Sequence, residues 1–294
     1  ITIVCKLFLT VLSRAIYGTT ISNASIQIQD VVVFKGFHPD WRLTPEDWIT
    51  RSKSWFHVHD DDMKFLHMII DRSGVGINTH FSPGLACFPP DLSFNAARQE
   101  AELVMWYCLD KIFADNNITA QDIDIVVTNC SLFNPTPSIA SMIVAHYGMR
   151  SDVQAYNLGG MGCSASPIAV KVASTLLRQH PKKHPLAVVL SMENITQNIY
   201  LGKERAFLLA NALFRIGGAA ILLTRDSHAY GKITNTKWTI KHLNHVHIAA
   251  DTDPYTCVFQ DIDNQNRHVV RLDKTLMSVA ARAIATNLTH IGPK

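Results

Sequence analysis

Residues 157–167 read Asn-Leu-Gly-Gly-Met-Gly-Cys-Ser-Ala-Ser-Pro and determine how the surrounding chain folds. The stretch 153–158 is typical of a strand, and residues 165–179 have the 3.6-residue apolar period of a helix. The three glycines between them permit a sharp turn, and Pro167 suits the first turn of a helix, where a missing N–H is harmless. The segment therefore predicts a strand, a tight turn and a helix, with Cys163 at the turn.

The same alternation of strand and helix patterns continues on both sides of this segment. Apolar runs predict further strands at residues 123–127, 186–192 and 219–223, and an alternating pattern predicts an edge or antiparallel strand at 237–248. Periodic segments predict helices at residues 93–116, 138–147 and 274–290. This arrangement indicates an α/β fold in which a mixed sheet carries helices on both faces.

Composition narrows the class of protein. The chain has 294 residues, of which 47% are apolar and 17% charged, and its formal net charge is +3. A large core is therefore available, and the charge is too small for a nucleic-acid-binding surface. The six cysteines lie 21 or more residues apart, which argues against a disulfide framework and against paired metal ligands.

Cys163 is the candidate for chemistry. At the start of a helix, unpaired N–H groups and the positive end of the helix dipole stabilise a thiolate. The glycines leave room for a carbonyl carbon to approach the sulfur atom, as at a nucleophile elbow, and this favours acyl transfer. The alternative is that Cys163 is an inert small residue at a place where backbones pack closely.

A second alternative is dinucleotide binding by an oxidoreductase. Gly160, Gly162 and Ala165 match a loose Gly-x-Gly-x-x-Ala fingerprint between a strand and a helix, and Glu193 ends the next strand as a ribose-binding acid would. However, Glu193 lies 33 residues after Gly160, where about 20 are typical.

Polar segments also follow the strands on either side of the Cys163 turn. Asn129 ends one predicted strand, and Asn194 follows another. The carboxyl ends of adjacent parallel strands meet at one crevice, where α/β proteins bind ligands. We expect Asn129, Asn194, Gly160 and Gly162 to line a substrate site there.

Two other features leave alternatives open. The cluster of His57, His59 and residues 60–62, all Asp, suggests a metal site, although no second ligand pair accompanies it and a solvated helix start explains it as well. Residues 1–17 are amphipathic, and fit the end of a membrane span, an interfacial helix or a core helix.

Four segments of the sequence are specific enough to indicate a protein family. Together they closely resemble the plant-type very-long-chain 3-ketoacyl-CoA synthases, the condensing enzymes of fatty acid elongation in the thiolase superfamily. These segments are residues 129–138, 157–165, 193–198 and 211–220.

The resemblance implies the N-terminal half of a duplicated thiolase-like fold and a decarboxylative Claisen condensation. Cys163 is the expected acyl-accepting nucleophile, with acyl-CoA and malonyl-CoA as substrates and no metal or redox cofactor. His247 matches a functionally important family histidine, although Ile248 and Ala249 replace the usual Arg and Gly. The other His and Asn partners belong to the family's second half.

Domain organisation and location also follow from the resemblance. The chain begins at Ile1 and ends directly after a helical pattern, so we expect a fragment that lacks the second half and cannot complete condensation alone. Residues 1–30 are expected to form a membrane-proximal segment, and residues 31–294 the N-terminal ketoacyl-CoA synthase domain. The resemblance further implies that the protein lies in the endoplasmic reticulum membrane, with its catalytic domain in the cytosol. It also implies a homodimer and contacts with other enzymes of the elongase complex. A catalytically incomplete scaffold is the remaining alternative.

Overall fold

The computed structural model describes residues 24–55, 60–76, 78–202, 204–225 and 238–292. Eight strands lie in these ranges: β1 Ile26–Val33, β2 Ile125–Asn129, β3 Gln154–Leu158, β4 Leu186–Glu193, β5 Gly217–Arg225, β6 Trp238–Ile240, β7 Val258–Ile262 and β8 His268–Leu272. The same ranges contain nine α-helices: α1 Pro45–Trp55, α2 Asp60–Ser73, α3 Pro83–Ala86, α4 Phe94–Asp115, α5 Ile139–His146, α6 Ala165–Gln179, α7 Arg205–Leu213, α8 Thr252–Thr256 and α9 Leu276–Ile291.

Six of the described strands form one sheet in the order β3-β2-β4-β5-β1-β6. The pairs β2–β3 and β2–β4 are parallel, whereas β4–β5, β5–β1 and β1–β6 are antiparallel. The predicted mixed sheet is therefore confirmed. Its parallel part holds the three strands whose carboxyl ends lead into the Cys163 turn and the polar segments on either side.

Helices cover both faces of this sheet, as predicted. The apolar runs of β2 and β4 are continuous because alternate residues face opposite layers. Val126 and Val188 pack in the cluster formed with α4 and α5, while Val127 and Val189 pack against α6. Burial of both faces makes this part of the sheet a rigid support for the loops at its carboxyl edge.

A second layer of structure lies beside the sheet. Helices α1, α2 and α7 share an apolar cluster whose fully buried members include Trp48, Leu66 and Leu208. Strands β7 and β8 form a separate antiparallel hairpin, and Val269 of β8 packs in the same cluster. The loop after β4 contributes Ile195 and Ile199, so it is anchored in this cluster too.

The strand predicted at 237–248 is too long. Strand β6 ends at Ile240, and residues 241–248 have no regular secondary structure. The register pairs Ile240 with Ile26, which is the first residue of β1. Beyond Ile240, the edge strand has no partner left in β1, so the alternating pattern that follows does not form a ladder.

Helix α9 has the predicted position, but part of its apolar face is exposed. Leu276, Val279 and Ala283 are partly buried, whereas Ile284 and Leu288 are 60% and 61% exposed. The apolar period of residues 274–290 predicts that all five of these side chains point inward, and this prediction is wrong for the last two. The inward side of the helix is only about one third of its circumference, and Ile284 and Leu288 lie next to that stripe.

Two predictions fall wholly or partly outside the described residues. His57, His59 and residues 1–17 are not described, and neither are the side chains of Asp60 and Asp61. Within the part that is described, no group of three or more His, Cys, Asp or Glu side chains could hold a metal ion. None of the helices seen there combines the length and hydropathy that a bilayer crossing requires.

Candidate active site

Cys163 lies where strand β3 gives way to helix α6. The strand ends at Leu158, residues 162–164 form one 3-10 turn, and α6 begins at Ala165. The Cys163 side chain is exposed to solvent. The predicted strand, turn and helix are confirmed, and they leave the thiol accessible at the amino end of a four-turn helix.

The glycines of this turn have two different functions. Gly160 and Gly162 adopt positive φ angles of 70° and 57°, in the left-handed region that favours glycine. Gly159 is required for close approach, because a Cβ atom there would lie 2.8 Å from Oδ1 of Asn134. Backbone conformation and contact with the neighbouring loop therefore both restrict this segment to glycine.

The loop after β2 holds the Cys163 turn in place. The backbone N–H of Gly162 donates to Oγ of Ser131 over 2.8 Å. Asn134 Nδ2 donates to the carbonyl oxygen of Ser131 at 2.9 Å, and Asn157 Nδ2 donates to Asn134 Oδ1 at 3.3 Å. The polar segments after β2 and β3 therefore meet at one edge of the sheet, as predicted.

Asn129 supports the start of helix α6. Its side chain is buried, and Nδ2 donates to Oγ of Ser191 on β4 at 2.7 Å. The Ser191 hydroxyl in turn donates to Oγ of Ser166 at 3.0 Å. Asn129 is thus joined to the second residue of the helix that follows Cys163, and its expected contact with substrate stays a prediction.

Asn194 is also inside the protein. Only 1% of it is exposed, its Nδ2 donates to the carbonyl oxygen of Ala97 at 2.7 Å, and its Oδ1 accepts from the N–H of Thr196 at 3.2 Å. These contacts connect the loop after β4 to helix α4. Its predicted part in substrate binding likewise stays a prediction.

Glu193 has a structural position that sequence reasoning missed. Its Oε1 accepts from the backbone N–H groups of Leu132 and Asn194 at 2.9 and 3.1 Å, and its Oε2 accepts from the N–H of Ser131 at 3.1 Å. The carboxylate is therefore engaged by the loop after β2. This position does not fit the ribose-binding acid of the dinucleotide alternative, which would leave both oxygens to the ligand.

A second buried carboxyl lies behind this loop. Glu100 of helix α4 is 2% exposed, and its Oε2 is 2.5 Å from Oγ1 of Thr196, which also contacts Oγ of Ser82 at 2.6 Å. Burial, with a smaller contribution from the negative charge of Glu193, raises the pKa of Glu100 to about 8. The available sequence signal was its position three residues after Ala97 and four before Val104, next to the apolar face of the helix.

His247 lies in the irregular segment after β6. Its side chain is exposed, its Nδ1 accepts from the N–H of Ala249 at 3.4 Å, and its ring centroid is 6.3 Å from that of His245. These contacts are all within its own loop. None of them reaches the Cys163 turn or the loop after β2, which the hydrogen bond between Gly162 and Ser131 joins. The catalytic role expected of His247 stays a prediction.

Comparison with curated proteins identifies close relatives. The chain is 44% identical to 3-ketoacyl-CoA synthase 4 of Arabidopsis thaliana over 234 residues. These residues are 80% of this chain and 44% of the relative. It is 37% identical over 292 residues to 3-ketoacyl-CoA synthase 5 of the same plant, covering 99% of this chain and 58% of the relative. The chain thus spans about half the length of the curated relatives it matches.

Solved structures share the fold at low identity. The C-terminal type III polyketide synthase domain of Steely1 from Dictyostelium matches with a TM-score of 0.74 and 13% identity, over 91% of this chain and 73% of that one. A type III pentaketide synthase from Neurospora crassa matches with a TM-score of 0.66 and 19% identity, with the same two coverages, 91% and 73%. The thiolase-like α/β fold is therefore confirmed.

The family comparison agrees with both results. The family described as FAE1/Type III polyketide synthase-like protein matches residues 22–294. That match includes the Cys163 turn, both polar loops and the β7–β8 hairpin. The oxidoreductase alternative is set aside, and the chain belongs to the FAE1/type III polyketide synthase-like family.

Proposed function

We propose that this chain forms the acyl-accepting part of a 3-ketoacyl-CoA synthase, which condenses acyl-CoA with malonyl-CoA in fatty acid elongation. The observation that carries the proposal is the exposed thiol of Cys163 at the start of α6, on a turn held by Ser131. Relatives named 3-ketoacyl-CoA synthase, at up to 44% identity, support the choice of reaction.

In the first step, the Cys163 thiolate attacks the carbonyl carbon of acyl-CoA. The new carbon–sulfur bond forms as the bond to the CoA sulfur breaks, and CoA leaves as a thiolate that takes up a proton. The attacking sulfur belongs to the residue two positions before Ala165, where α6 begins. Exposure of the side chain lets a large acyl-CoA reach it.

In the second step, malonyl-CoA loses carbon dioxide, and the electron pair of the broken bond passes to an enolate. The enolate carbon attacks the acyl carbon held on Cys163, which gives 3-ketoacyl-CoA and returns the cysteine as thiolate. Hydrogen-bond donors at the enolate oxygen lower the barrier to this step. The balance of both steps needs no redox cofactor and no metal.

The other predicted site residues are assigned to this reaction as proposals. Gly160 and Gly162 have open space where a Cβ would lie, which suits the approach of a thioester to the turn. Asn129 and Asn194 hold the adjoining loops from inside the protein. His247 is exposed and so accessible to a substrate, and we assign it a part in condensation.

We also propose a homodimer, contacts with other elongase enzymes, and attachment to the endoplasmic reticulum membrane through the residues before β1. Residues 26–30, which the predicted membrane-proximal segment included, belong to β1 in the central sheet and take no part in this attachment. Support for the dimer comes from β3, which ends the sheet in the described part of the chain and has an exposed backbone edge. Tyr156 on this strand and Met161 beside Cys163 are 41% and 40% exposed. The membrane and elongase assignments rest on the family resemblance.

Acylation by radiolabelled long-chain acyl-CoA tests the central assignment. Label should bind covalently to the wild-type protein and be released by hydroxylamine, which cleaves thioesters. Cys163→Ala should lose the label, whereas Cys87→Ala, which removes another exposed thiol, should keep it. Label retained by Cys163→Ala would exclude Cys163 as the acyl acceptor.

Condensation is measured separately, by adding malonyl-CoA to the acylated protein. Formation of 3-ketoacyl-CoA would rule out the scaffold alternative. Acylation without any product would show that this chain carries out the first step alone.

A further inference from the structure

Glu193 is bound by three backbone N–H groups, which can only donate, and by one thiol. Two backbone N–H groups of the loop after β2, those of Ser131 and Leu132, point at its carboxylate, at 3.1 and 2.9 Å. The N–H of Asn194 and the thiol of Cys130 add contacts of 3.1 and 3.2 Å to Oε1. Such a cage fits an acceptor with two oxygens, so the side chain fixes the position of residues 130–132.

The same short loop bears the group that holds the Cys163 turn. Ser131 Oγ accepts from the N–H of Gly162 at 2.8 Å, and Gly162 is the residue before Cys163. Two successive hydrogen bonds therefore connect the carboxylate of Glu193 to the turn that presents the thiol. The backbone of Ser131 provides the first bond and its side chain provides the second.

We propose that Glu193 is a positioning residue for Cys163: its carboxylate fixes the loop of residues 130–132, and the Ser131 hydroxyl on that loop fixes the Cys163 turn. The inference deepens the proposed function and rests on Cys163 being the acyl acceptor.

The second buried carboxyl, Glu100, is not suited to this function. It faces the hydroxyl groups of Thr196 and Ser82, which can accept as well as donate and so tolerate a carboxylic acid. Backbone N–H groups cannot accept, so a proton on Glu193 would have no partner among them. The two carboxyls thus differ in their surroundings, and the one that contacts the loop of residues 130–132 is Glu193.

Alkylation of Cys163 by iodoacetamide tests the proposal on the purified 294-residue protein, with rates read peptide by peptide in a mass spectrometer. Glu193→Gln replaces one carboxylate oxygen by an NH₂ group that cannot accept from Ser131. Ser131→Ala removes the hydroxyl that holds Gly162. Each change should slow alkylation of Cys163 by about fivefold, the equivalent of one hydrogen bond of about 1 kcal/mol.

The direction of the change separates positioning from simple electrostatics. Loss of a negative charge by itself favours a nearby thiolate and would raise the rate. A faster reaction in Glu193→Gln would therefore overturn the proposal.

Non-additivity gives the sharper test. If Glu193 acts through Ser131, Cys163 in the double variant Glu193→Gln/Ser131→Ala should react no more slowly than in the slower of the two single variants. Ser131→Thr keeps a hydroxyl and should therefore have most of the wild-type rate. Effects that multiply in the double variant, to about 25-fold, would show independent actions and refute the relay.

Cys87 provides an internal control, because it is exposed directly after the short helix α3, elsewhere in the chain. Its alkylation rate should not change in any variant, and buried Cys108 should remain unreactive. Parallel changes at Cys87 or Cys108 would mean general loosening of the fold and would count against positioning. The assay measures the reactivity of the thiol directly and does not depend on acyl transfer. If the alkylation rates change as predicted but Cys163 is not acylated, the proposed function is overturned and the positioning role of Glu193 is not.

Discussion

The side-chain amide of Asn194, in the loop after β4, donates a hydrogen bond of 2.7 Å to the carbonyl oxygen of Ala97 in helix α4. Both groups are buried, so each satisfies a polar atom that water cannot reach. The loop that follows Glu193 and contains Thr196 is therefore fixed to a helix of the core. The contact joins this loop, whose Ile195 and Ile199 pack in the layer beside the sheet, to a helix that packs on the sheet.

Replacement of Asn194 by alanine should lower the free energy of unfolding by about 1–3 kcal/mol, because the carbonyl of Ala97 loses its buried donor. Urea denaturation measures the loss. Asn95→Ala is the matched control on an exposed position of α4 and should change stability by less than about 0.5 kcal/mol. Equal midpoints for wild type and Asn194→Ala would contradict this prediction.

Glu100 should make stability depend on pH. Burial raises its pKa from 4.5 to about 8, so between these values the folded protein binds a proton that the unfolded chain has released. The contribution is fully present below pH 4.5 and is lost as pH rises towards 8. Glu100→Gln keeps a polar neutral side chain and removes the effect.

The measurement is the difference in unfolding free energy between Glu100→Gln and wild type at several pH values. The variant should gain stability relative to wild type as pH rises, by at most about 1.4 kcal/mol per pH unit. A difference that stays constant from pH 5 to about 8 would show that the buried carboxyl does not titrate in this range.

Substitution of the turn glycines should cost stability through the backbone alone. Gly160→Ala and Gly162→Ala meet no atom within 4 Å, but their φ angles of 70° and 57° are unfavourable for a residue with a Cβ. Each should lose about 1–2 kcal/mol in urea denaturation. Gly76→Ala, where φ is not in this region and space is open, is the control and should not be destabilised.

The exposed edge of β3 should carry the dimer contact. Tyr156→Asp places a charge on that edge, which opposes strand pairing, and should convert a dimer to a monomer in sedimentation velocity. Tyr255→Asp changes a tyrosine that is 60% exposed on α8 and should leave the dimer intact. A Tyr156→Asp protein that remains dimeric would place the interface elsewhere.

Local patterns were enough to predict the centre of the fold. The segments predicted as helices begin at Ser93 and Ser138, and the hydroxyls of these residues accept from the N–H groups of Ala96 and Ser141 at the starts of α4 and α5. The continuous apolar runs of β2 and β4 likewise report burial on both faces. These features depend on neighbours within a few residues, so the sequence contains them.

Features that depend on distant partners were not predictable in this way. The end of β6 is set by where β1 begins, which lies more than 200 residues earlier in the chain. The contacts of Glu193 with Ser131 and Leu132, more than 60 residues away, leave no local pattern, so the sequence alone also allows the ribose-binding role of the dinucleotide alternative. The contact of Asn194 with Ala97 was not predictable either, because an asparagine after a strand has the same local pattern whether its amide faces a ligand or helix α4.

The exposed stripe of helix α9 has a practical consequence for handling the protein. Met277, Ile284 and Leu288 are 78%, 60% and 61% exposed and lie on one side of the helix, so concentrated solutions of this chain should self-associate and precipitate. Lysine or glutamate at positions 284 and 288 should raise solubility without a loss of folding, because neither side chain belongs to a buried cluster.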